Sequence, residues 1–206
     1  QILMPEQNNK DKVSNYSMDF DGVDDYVIVT ASPIDTVLSS TEFSISFWYY
    51  IDTAATEFVF SQDASPDFEI YSTASGWYAY IGGDVVWSPS RPPIITGKWV
   101  HIAIIVDQDL TTGSVTMHQT DNVGTNVYTS GPRLAISSAG NPLYIGKRSD
   151  NTYWLDGKLD EIAFFDYALT DIASIYNSGT PTDLSTLATP PTNWYRMGEE
   201  AIFNST

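Results

Sequence analysis

The chain has 206 residues and no cysteine, and its nine Lys and Arg against 26 Asp and Glu give a formal charge of −17. Such an acidic surface repels nucleic-acid phosphates and anionic lipid headgroups, and no apolar run is long enough to span a bilayer. We therefore expect neither a nucleic-acid partner nor membrane insertion. The lack of cysteine excludes disulfides, thiolate zinc sites and thiol catalysis.

Apolar residues that alternate with polar ones predict strands along most of the chain. In residues 43–51, Phe43, Ile45 and Phe47 fall on one face of a strand, and serine and aromatic side chains fall on the other. Residues 99–106 are almost continuously apolar and β-branched, so we assign them, with Trp99 and His101, to a central buried strand. Further strands are predicted at 18–20, 26–30, 57–61, 68–72, 77–81, 114–119, 143–145, 159–165 and 194–197.

One helix is predicted near the C-terminal end. Asp171 follows Thr170 as an N-terminal cap, and Asn177-Ser178-Gly179 ends the helix. A stretch rich in Thr and Pro follows and predicts an extended connector. The predicted organisation is an N-terminal extension (1–16), a sandwich (17–179), the connector (180–192) and a last segment (193–206).

Five short motifs lie in a fixed order along the chain: SMDFDGVDDYV (17–27), FSISFW (43–48), GKWVHIA (97–103), LYIG (143–146) and DGKLDEIAFF with its following helix (156–177). Their order and spacing resemble those of laminin-G-like jelly-roll domains of the concanavalin A-like lectin/glucanase superfamily. The resemblance implies an all-β fold, in which two antiparallel sheets form a sandwich with a short helix near the C-terminus.

The last segment carries a second likeness. Residues 193–200, NWYRMGEE, are similar to the segment that opens many such domains ahead of the first motif. Two interpretations stay open: the segment closes the sheet of its own domain, or it starts a further repeat.

Calcium is the cofactor that the motifs suggest, because it takes six to eight oxygen ligands from carboxylates and carbonyls. The resemblance implies that Asp21, the carbonyl of Gly22 and Asp160 share one ion. The alternative is a turn that Asp21 stabilises by itself, with Asp160 bonded to backbone amides. Further acidic candidates are Asp24 and Asp156 beside these positions, and the pair Asp63 and Asp67.

Glycan binding requires aromatic faces beside polar groups in a shallow cleft. Aromatic residues on the polar strand face and in the loops meet this requirement, although packing in the core is the alternative for each of them. The candidate ligand-binding residues are Trp48, Tyr50, Tyr78, Trp87, Asn151, Tyr153 and Trp154, with Asp150 beside them.

Glycoside hydrolysis is a further alternative, because the superfamily includes glucanases. Hydrolysis needs two carboxylates that flank the scissile bond, and the glucanase pattern of Glu, apolar, Asp, apolar, Glu does not occur in the sequence. We therefore expect a non-catalytic recognition or adhesion module, extracellular and displayed on a cell or virion surface, that binds a glycan or another protein. A structural module of a phage capsid, phage tail or cell-surface filament, packed against neighbouring subunits, is the second hypothesis.

Overall fold

The computed structural model describes residues 16–62, 68–87, 90–109, 111–131, 136 and 140–197, without the side chains of residues 31–34. The acidic pair Asp63 and Asp67 lies outside the described residues, as do most of the N-terminal extension and the end of the last segment.

The described residues form two antiparallel sheets and two α-helices. In the first sheet the strand order is β1-β12-β3-β8-β9-β10, with β13 also on β12, and in the second it is β2-β11-β4-β5-β6-β7. The helices are α1 (Ala31–Leu38) and α2 (Ile172–Tyr176). The strands are β1 (Met18–Asp21), β2 (Val27–Val29), β3 (Glu42–Tyr50), β4 (Glu57–Ser61), β5 (Phe68–Thr73), β6 (Gly76–Ile81), β7 (Asp84–Val86), β8 (Val100–Asp107), β9 (Ser114–Thr120), β10 (Thr125–Ser130), β11 (Leu143–Ile145), β12 (Asp156–Phe165) and β13 (Asn193–Tyr195).

The main core lies between the two sheets. The alternating side chains Phe43, Ile45 and Phe47 of β3 are fully buried there, and Phe47 packs edge-on against Phe60 of the facing sheet at 5.2 Å between ring centroids. The predicted jelly-roll sandwich is therefore confirmed, and the period-two alternation of β3 is its structural cause.

A second apolar cluster covers part of the outer face of the first sheet. Phe165 of β12 packs there against Ile175 of α2 and Leu184. Leu184 begins a 3₁₀ turn, Leu184–Thr186, so the connector is not purely extended as predicted but partly folded onto the sheet. The hydroxyl of Ser44 donates to the carbonyl of Tyr167 at 2.9 Å, which explains how a polar outward residue of β3 is buried.

The described start of the last segment, β13, lies on an edge of the first sheet. β13 pairs with residues 162–164 of β12, and β1 pairs with residues 156–159 of the same strand. Both strands are antiparallel to β12, so β13 runs along the same edge towards the start of β1. β1 and β13 therefore share one edge of β12.

The predicted helix after the last motif is present as α2. The carboxylate of Asp171 accepts a hydrogen bond from the backbone N–H of Ser174 at 3.1 Å, and Asn177 adopts a left-handed conformation that ends the helix. The sequence analysis did not predict α1; its Pro33 lies in the first turn, where a helix tolerates proline. Val37 and Leu38 of α1 are buried in the main core.

Replacing Gly146 by alanine is expected to lower the free energy of unfolding by about 2–4 kcal/mol. Gly146 has a φ of +89°, and an added Cβ would lie 2.4 Å from Cε1 of the buried Phe20. Urea denaturation measures the loss. The control is Gly124→Ala, since an added Cβ there has no heavy atom within 4 Å. Equal stabilities of the two variants would contradict this packing.

Candidate functional site

A groove opens on the outer face of the first sheet, next to the area that α2 covers. Its volume is about 280 Å³. Its walls come from β3, β12, the residues just before β1 and β8, and the segment after α2. The described lining residues are Tyr16, Ser17, Trp48, Trp99, Asp160, Gly179 and Pro181.

Strand register brings the central residues of the groove together. Trp48 on β3 lies directly opposite Asp160 on β12 and His101 on β8, so all three share the outer face. The indole of Trp48 stacks on Tyr176 of α2, with 5.5 Å between the ring centroids and 25° between the planes. Trp48 is only 7% exposed, so it forms a fixed wall of the groove.

Trp99 is the more accessible of the two indoles in the groove. It is 37% exposed and its ring lies 5.8 Å from that of Tyr50, whose hydroxyl donates to Asp52. The prediction that Trp99 belongs to the core is therefore wrong. It precedes β8, and the alternation that turns Val100 into the core and His101 outwards places Trp99 on the outer face, where it lines the groove.

Asp160 supplies a carboxylate to the groove although it is only 7% exposed. One of its oxygens accepts a hydrogen bond from the backbone N–H of Glu161 at 2.8 Å. Glu161 has a φ of +50° at a bulge in β12, where the pairing with β3 shifts by one residue. Glu161 accepts hydrogen bonds from Trp194 Nε1 at 2.6 Å and Arg196 Nε at 3.1 Å, so the bulge is fastened to β13 and the residue after it.

A buried Ser–His pair lies under the groove. Ser46 Oγ and His101 Nε2 are 2.8 Å apart. Burial, followed by the charge of His118, lowers the pKa of His101 to about 3, which makes it a poor base at neutral pH. The space beside Ser46 is about 10 Å³, room for no more than one water. His101 is fully buried, as predicted for the central strand.

A row of stacked rings lies on the outer face of the second sheet. Tyr153, Phe58, Tyr71 and Tyr78 stack in that order, with centroid separations of 5.8, 4.5 and 5.1 Å. The guanidinium of Arg91 lies 3.9 Å above the far side of Tyr78. We call these five residues the aromatic strip. Tyr78 therefore has both ring faces covered, whereas Tyr153 is 50% exposed.

Two other predicted ligand-binding residues hold a lysine of the same chain. Lys147 Nζ lies 5.2 Å from the ring centroid of Trp154 and 3.9 Å from that of Tyr26, and it donates a hydrogen bond to the side-chain carbonyl of Asn151. The contacts of Asn151 and Trp154 thus fix their own loop. Trp87, which follows β7, is 3% exposed and packs in the main core, so the prediction that it binds a ligand is wrong.

The predicted calcium ligands fall into two places. Asp21, Asp24 and Asp25 each place a carboxylate oxygen within 4.8 Å of the other two. The register pairs Asp21 with Asp156. Asp160 lies four residues further along β12, about 13 Å from Asp156 at the usual rise of a strand. The structure therefore does not bring Asp160 to the Asp21 turn, and Asp25 is an acid that the sequence analysis missed.

Asp156 remains beside the turn. An added Cβ on Gly22 would lie 3.0 Å from Cβ of Asp156, so the two backbones are in close contact. Burial and then the charge of Asp156 raise the pKa of the neighbouring Glu57 to about 7, although the N–H of Asp156 donates to Glu57. Glu57 is a further buried acid at this end of the sandwich, and its position in a predicted strand gave no sign of it.

The fold and its groove define a lectin-like β-sandwich. Residues 21–172 match the laminin G family described as the concanavalin A-like lectin/glucanases superfamily, and the chain belongs to this family. No curated protein matches the chain closely enough in sequence to count as a relative.

Solved structures share the fold at low sequence identity. A Bacteroides ovatus protein provisionally assigned as carbohydrate-binding superposes with a TM-score of 0.60 at 14% identity, over 91% of this chain and 53% of that protein. The chain thus spans about half the length of that protein. A tailspike protein of the Escherichia coli O157:H7 bacteriophage CAB120 gives 0.53 at 14%, over 95% and 32%. A heptameric pentraxin from Limulus polyphemus gives 0.50 at 16%, over 77% and 80%.

Among the described residues, no helix has the length and apolar character needed to cross a membrane.

Acidification is expected to destabilise the fold through His101. The pKa of His101 is about 3 in the fold against an ordinary value of 6.5, so the unfolded chain takes up a proton first as the pH falls. The contribution of neutral His101 to the free energy of unfolding is therefore complete above pH 6.5. It decreases by about 1.4 kcal/mol per pH unit as the pH falls from 6.5 towards 3.

Urea denaturation at pH 7, 5.5 and 4 tests this in the wild type and in His101→Gln, which retains a hydrogen-bonding partner for Ser46. The variant should lose about 3 kcal/mol less than the wild type between pH 7 and pH 4. The same loss in both proteins would show that His101 is not the group responsible.

Proposed function

We propose that the chain is a non-catalytic glycan-binding module that holds its ligand in the groove of the first sheet. The observation that carries the proposal is the exposed indole of Trp99 beside the largely buried carboxylate of Asp160 in one cavity of about 280 Å³. The C–H faces of a sugar ring pack on an indole, and a carboxylate accepts hydrogen bonds from sugar hydroxyls.

The charge and size of the groove narrow the class of ligand. Asp160 lies in a low-dielectric wall of a protein with a net charge of −17, so a second negative charge in the groove would be repelled. The volume lies just below the range of about 300–1,000 Å³ typical of small-molecule pockets. A neutral saccharide that inserts one end, or one short section, fits these two properties.

The lining of the groove supports binding rather than hydrolysis. Among its described lining residues Asp160 is the one carboxylate, and glycoside hydrolysis requires a second one opposite the bond. The Bacteroides ovatus neighbour supports a binding role by analogy of fold only. Display outside the cell, on a cell or virion surface, belongs to the same proposal, because extended glycans are met there.

Removing the accessible indole is expected to abolish most of the affinity. Trp99→Ala should weaken binding of a neutral oligosaccharide at least 10-fold, because it removes the ring on which the sugar packs. Asp160→Asn should weaken binding by a similar factor, because it removes the charged acceptor of the hydroxyl hydrogen bonds. A glycan array selects the oligosaccharide, and isothermal titration calorimetry measures its affinity. Tyr153→Ala, on the outer face of the other sheet, is the control and should leave the affinity unchanged.

Two results would contradict the proposal. One is an array on which neutral oligosaccharides fail to bind the wild type; the other is a Trp99→Ala variant with wild-type affinity. The structural-module alternative predicts self-association instead, over an interface of about 1,000 Å² or more. Concentration-dependent oligomers in light scattering, together with an empty array, would favour that alternative.

We also propose that the turn after β1 binds calcium. Three carboxylates within 4.8 Å of one another provide the hard oxygen ligands that this ion prefers, and their mutual repulsion is relieved by a divalent cation. Two of them also serve the turn, because Asp21 Oδ1 accepts from the N–H of Val23 at 2.9 Å and Asp25 Oδ2 accepts from the N–H of Asp21 at 3.2 Å.

Calcium is expected to raise the melting temperature of the wild type. At 100 times its dissociation constant the ion would stabilise the native state by about 2.7 kcal/mol. Asp24→Asn should remove most of this shift, and Asp166→Asn, an exposed acid outside the cluster, should retain it. Melting curves in millimolar calcium and in chelator provide the measurement; identical curves for the wild type would end the calcium proposal.

A further inference from the structure

β10 (Thr125–Ser130) forms an edge of the first sheet, on the opposite side from β1. We propose that two copies of the chain pair through β10, antiparallel and about a two-fold axis at Val127, into a dimer with one continuous sheet. The pairing uses residues that do not belong to the groove. It is therefore independent of the proposed glycan binding.

β10 lacks the features that usually keep sheet edges from pairing. Such edges are commonly short, charged, bulged or interrupted by proline. β10 has six residues, TNVYTS, without a charge or a proline, and it pairs with β9 without a register shift. The edge strands β2 and β7 of the second sheet have only three residues each. Within the described part of the chain β9 is the one strand that pairs with β10, and four residues of β10 are exposed.

The hydrogen bonds of the β9–β10 hairpin show which backbone groups of β10 point outwards. In antiparallel strands, residue pairs that exchange hydrogen bonds alternate with pairs that do not. The N–H of Asp121 donates to the carbonyl of Gly124 at 3.0 Å, so the next pair of the ladder, which includes Thr125, does not exchange bonds. By this alternation Thr125, Val127 and Thr129 direct their N–H and carbonyl groups away from β9.

These three residues are self-complementary in an antiparallel pair. A two-fold axis at Val127 places this residue opposite its own counterpart, and it places Thr125 opposite Thr129 of the second copy. Three residue pairs then exchange two hydrogen bonds each. An axis at Asn126 or Tyr128 leaves only two such pairs within β10, so the axis at Val127 gives the most complete ladder.

The side chains at these positions continue a pairing that the chain already uses. The hydroxyl of Thr129 lies 3.2 Å from that of Thr116 on β9, and the hydroxyl of Thr125 lies 3.0 Å from that of Thr120. In the dimer each of the two β10 threonines meets a threonine on its other side as well, a favourable cross-strand pair. Val127, which is 54% exposed, packs on its counterpart and removes apolar surface from water.

The β9–β10 hairpin is nearly neutral, so two acidic chains can meet there. Residues 114–131 contain one of the 26 acids, Asp121, and Lys98 Nζ lies 2.7 Å from its carboxylate. Almost all of the formal charge of −17 therefore lies elsewhere, and salt screens it beyond about 8 Å under physiological conditions. Added salt should strengthen this dimer, whereas it weakens a contact that ion pairs hold.

The pairing gives a closed dimer, because it uses the β10 edge of both copies. It thus differs from the structural-module alternative, in which contacts continue to further subunits. A two-fold axis perpendicular to the sheet keeps both outer faces on one side. Three strand spacings separate β3, which carries Trp48, from β10, so the two grooves lie roughly 30 Å apart at about 4.8 Å per spacing. Bivalent binding to a glycan-covered surface follows, and this consequence alone rests on the proposed function.

A single cysteine at the axis tests the register, because the chain has no cysteine of its own. Val127→Cys should oxidise to a disulfide-linked dimer, since the Cα atoms of a hydrogen-bonded pair lie about 5.5 Å apart, within the reach of a disulfide. Thr129→Cys, on the same strand and face, is the matched control. It should not crosslink, because the two copies of this position lie roughly 13 Å apart. Non-reducing electrophoresis after mild oxidation measures both.

Sedimentation equilibrium measures the non-covalent dimer. We expect a dissociation constant on the order of 100 μM, because the contact is a single short strand pair. Raising the salt from 20 to 300 mM should strengthen the dimer several-fold. Val127→Glu should weaken it at least 10-fold, because it places two carboxylates opposite each other. Ile28→Glu is the control: Ile28 is 48% exposed on the edge strand β2 of the other sheet, and the substitution there should leave the dimer unchanged.

Three outcomes would overturn the proposal. The first is a wild type that stays monomeric in 300 mM salt at ten times the expected dissociation constant. The second is equal crosslinking of Val127→Cys and Thr129→Cys. The third is loss of the dimer in Ile28→Glu but not in Val127→Glu, which would locate the pairing on β2. A glycan array without binding would contradict the proposed function and leave these three measurements unchanged.

Discussion

The antiparallel pairing of β3 with β8 and β12 is the constraint on which the rest of the structure depends. These three strands are neighbours within the first sheet, and the side chains of β3 alternate between the core and the outer face. A slip of one residue would exchange Phe47 with Trp48, and so exchange the core with the groove. The same register thus determines the stability of the fold and the composition of its candidate site.

The bulge in β12 shifts this register directly after Asp160, the residue of β12 that lines the groove. Without the extra residue, Asp160 and Glu161 would continue a regular alternation towards opposite faces. With the bulge, Glu161 adopts a left-handed conformation and binds Trp194 and Arg196, while Asp160 stays opposite Trp48. The acid that fastens the last strand and the acid that lines the groove are therefore adjacent in sequence and have separate tasks.

The sequence predicted the parts of the fold that local patterns determine, and missed those that depend on contacts between distant residues. The alternation in β3, the apolar run of β8 and the cap of α2 are each visible within about ten residues. The short strand β7 and the polar strand β10, with sequence TNVYTS, carry no comparable pattern. The groove depends on Trp99 remaining outside β8, and the separation of Asp160 from Asp21 depends on the pairing of β12 with β1; neither is encoded locally.

The two outer faces of the sandwich differ in how aromatic rings are held. On the first sheet, α2 stacks on Trp48 and leaves the indole of Trp99 open beside a carboxylate. On the second sheet the rings of neighbouring strands stack on one another, so other rings cover their faces. Because the C–H groups of a sugar pack on an open ring face, the first sheet is the one that the proposed glycan site uses. Ring orientation, set by strand register and by a single helix, is therefore the property that distinguishes the two faces.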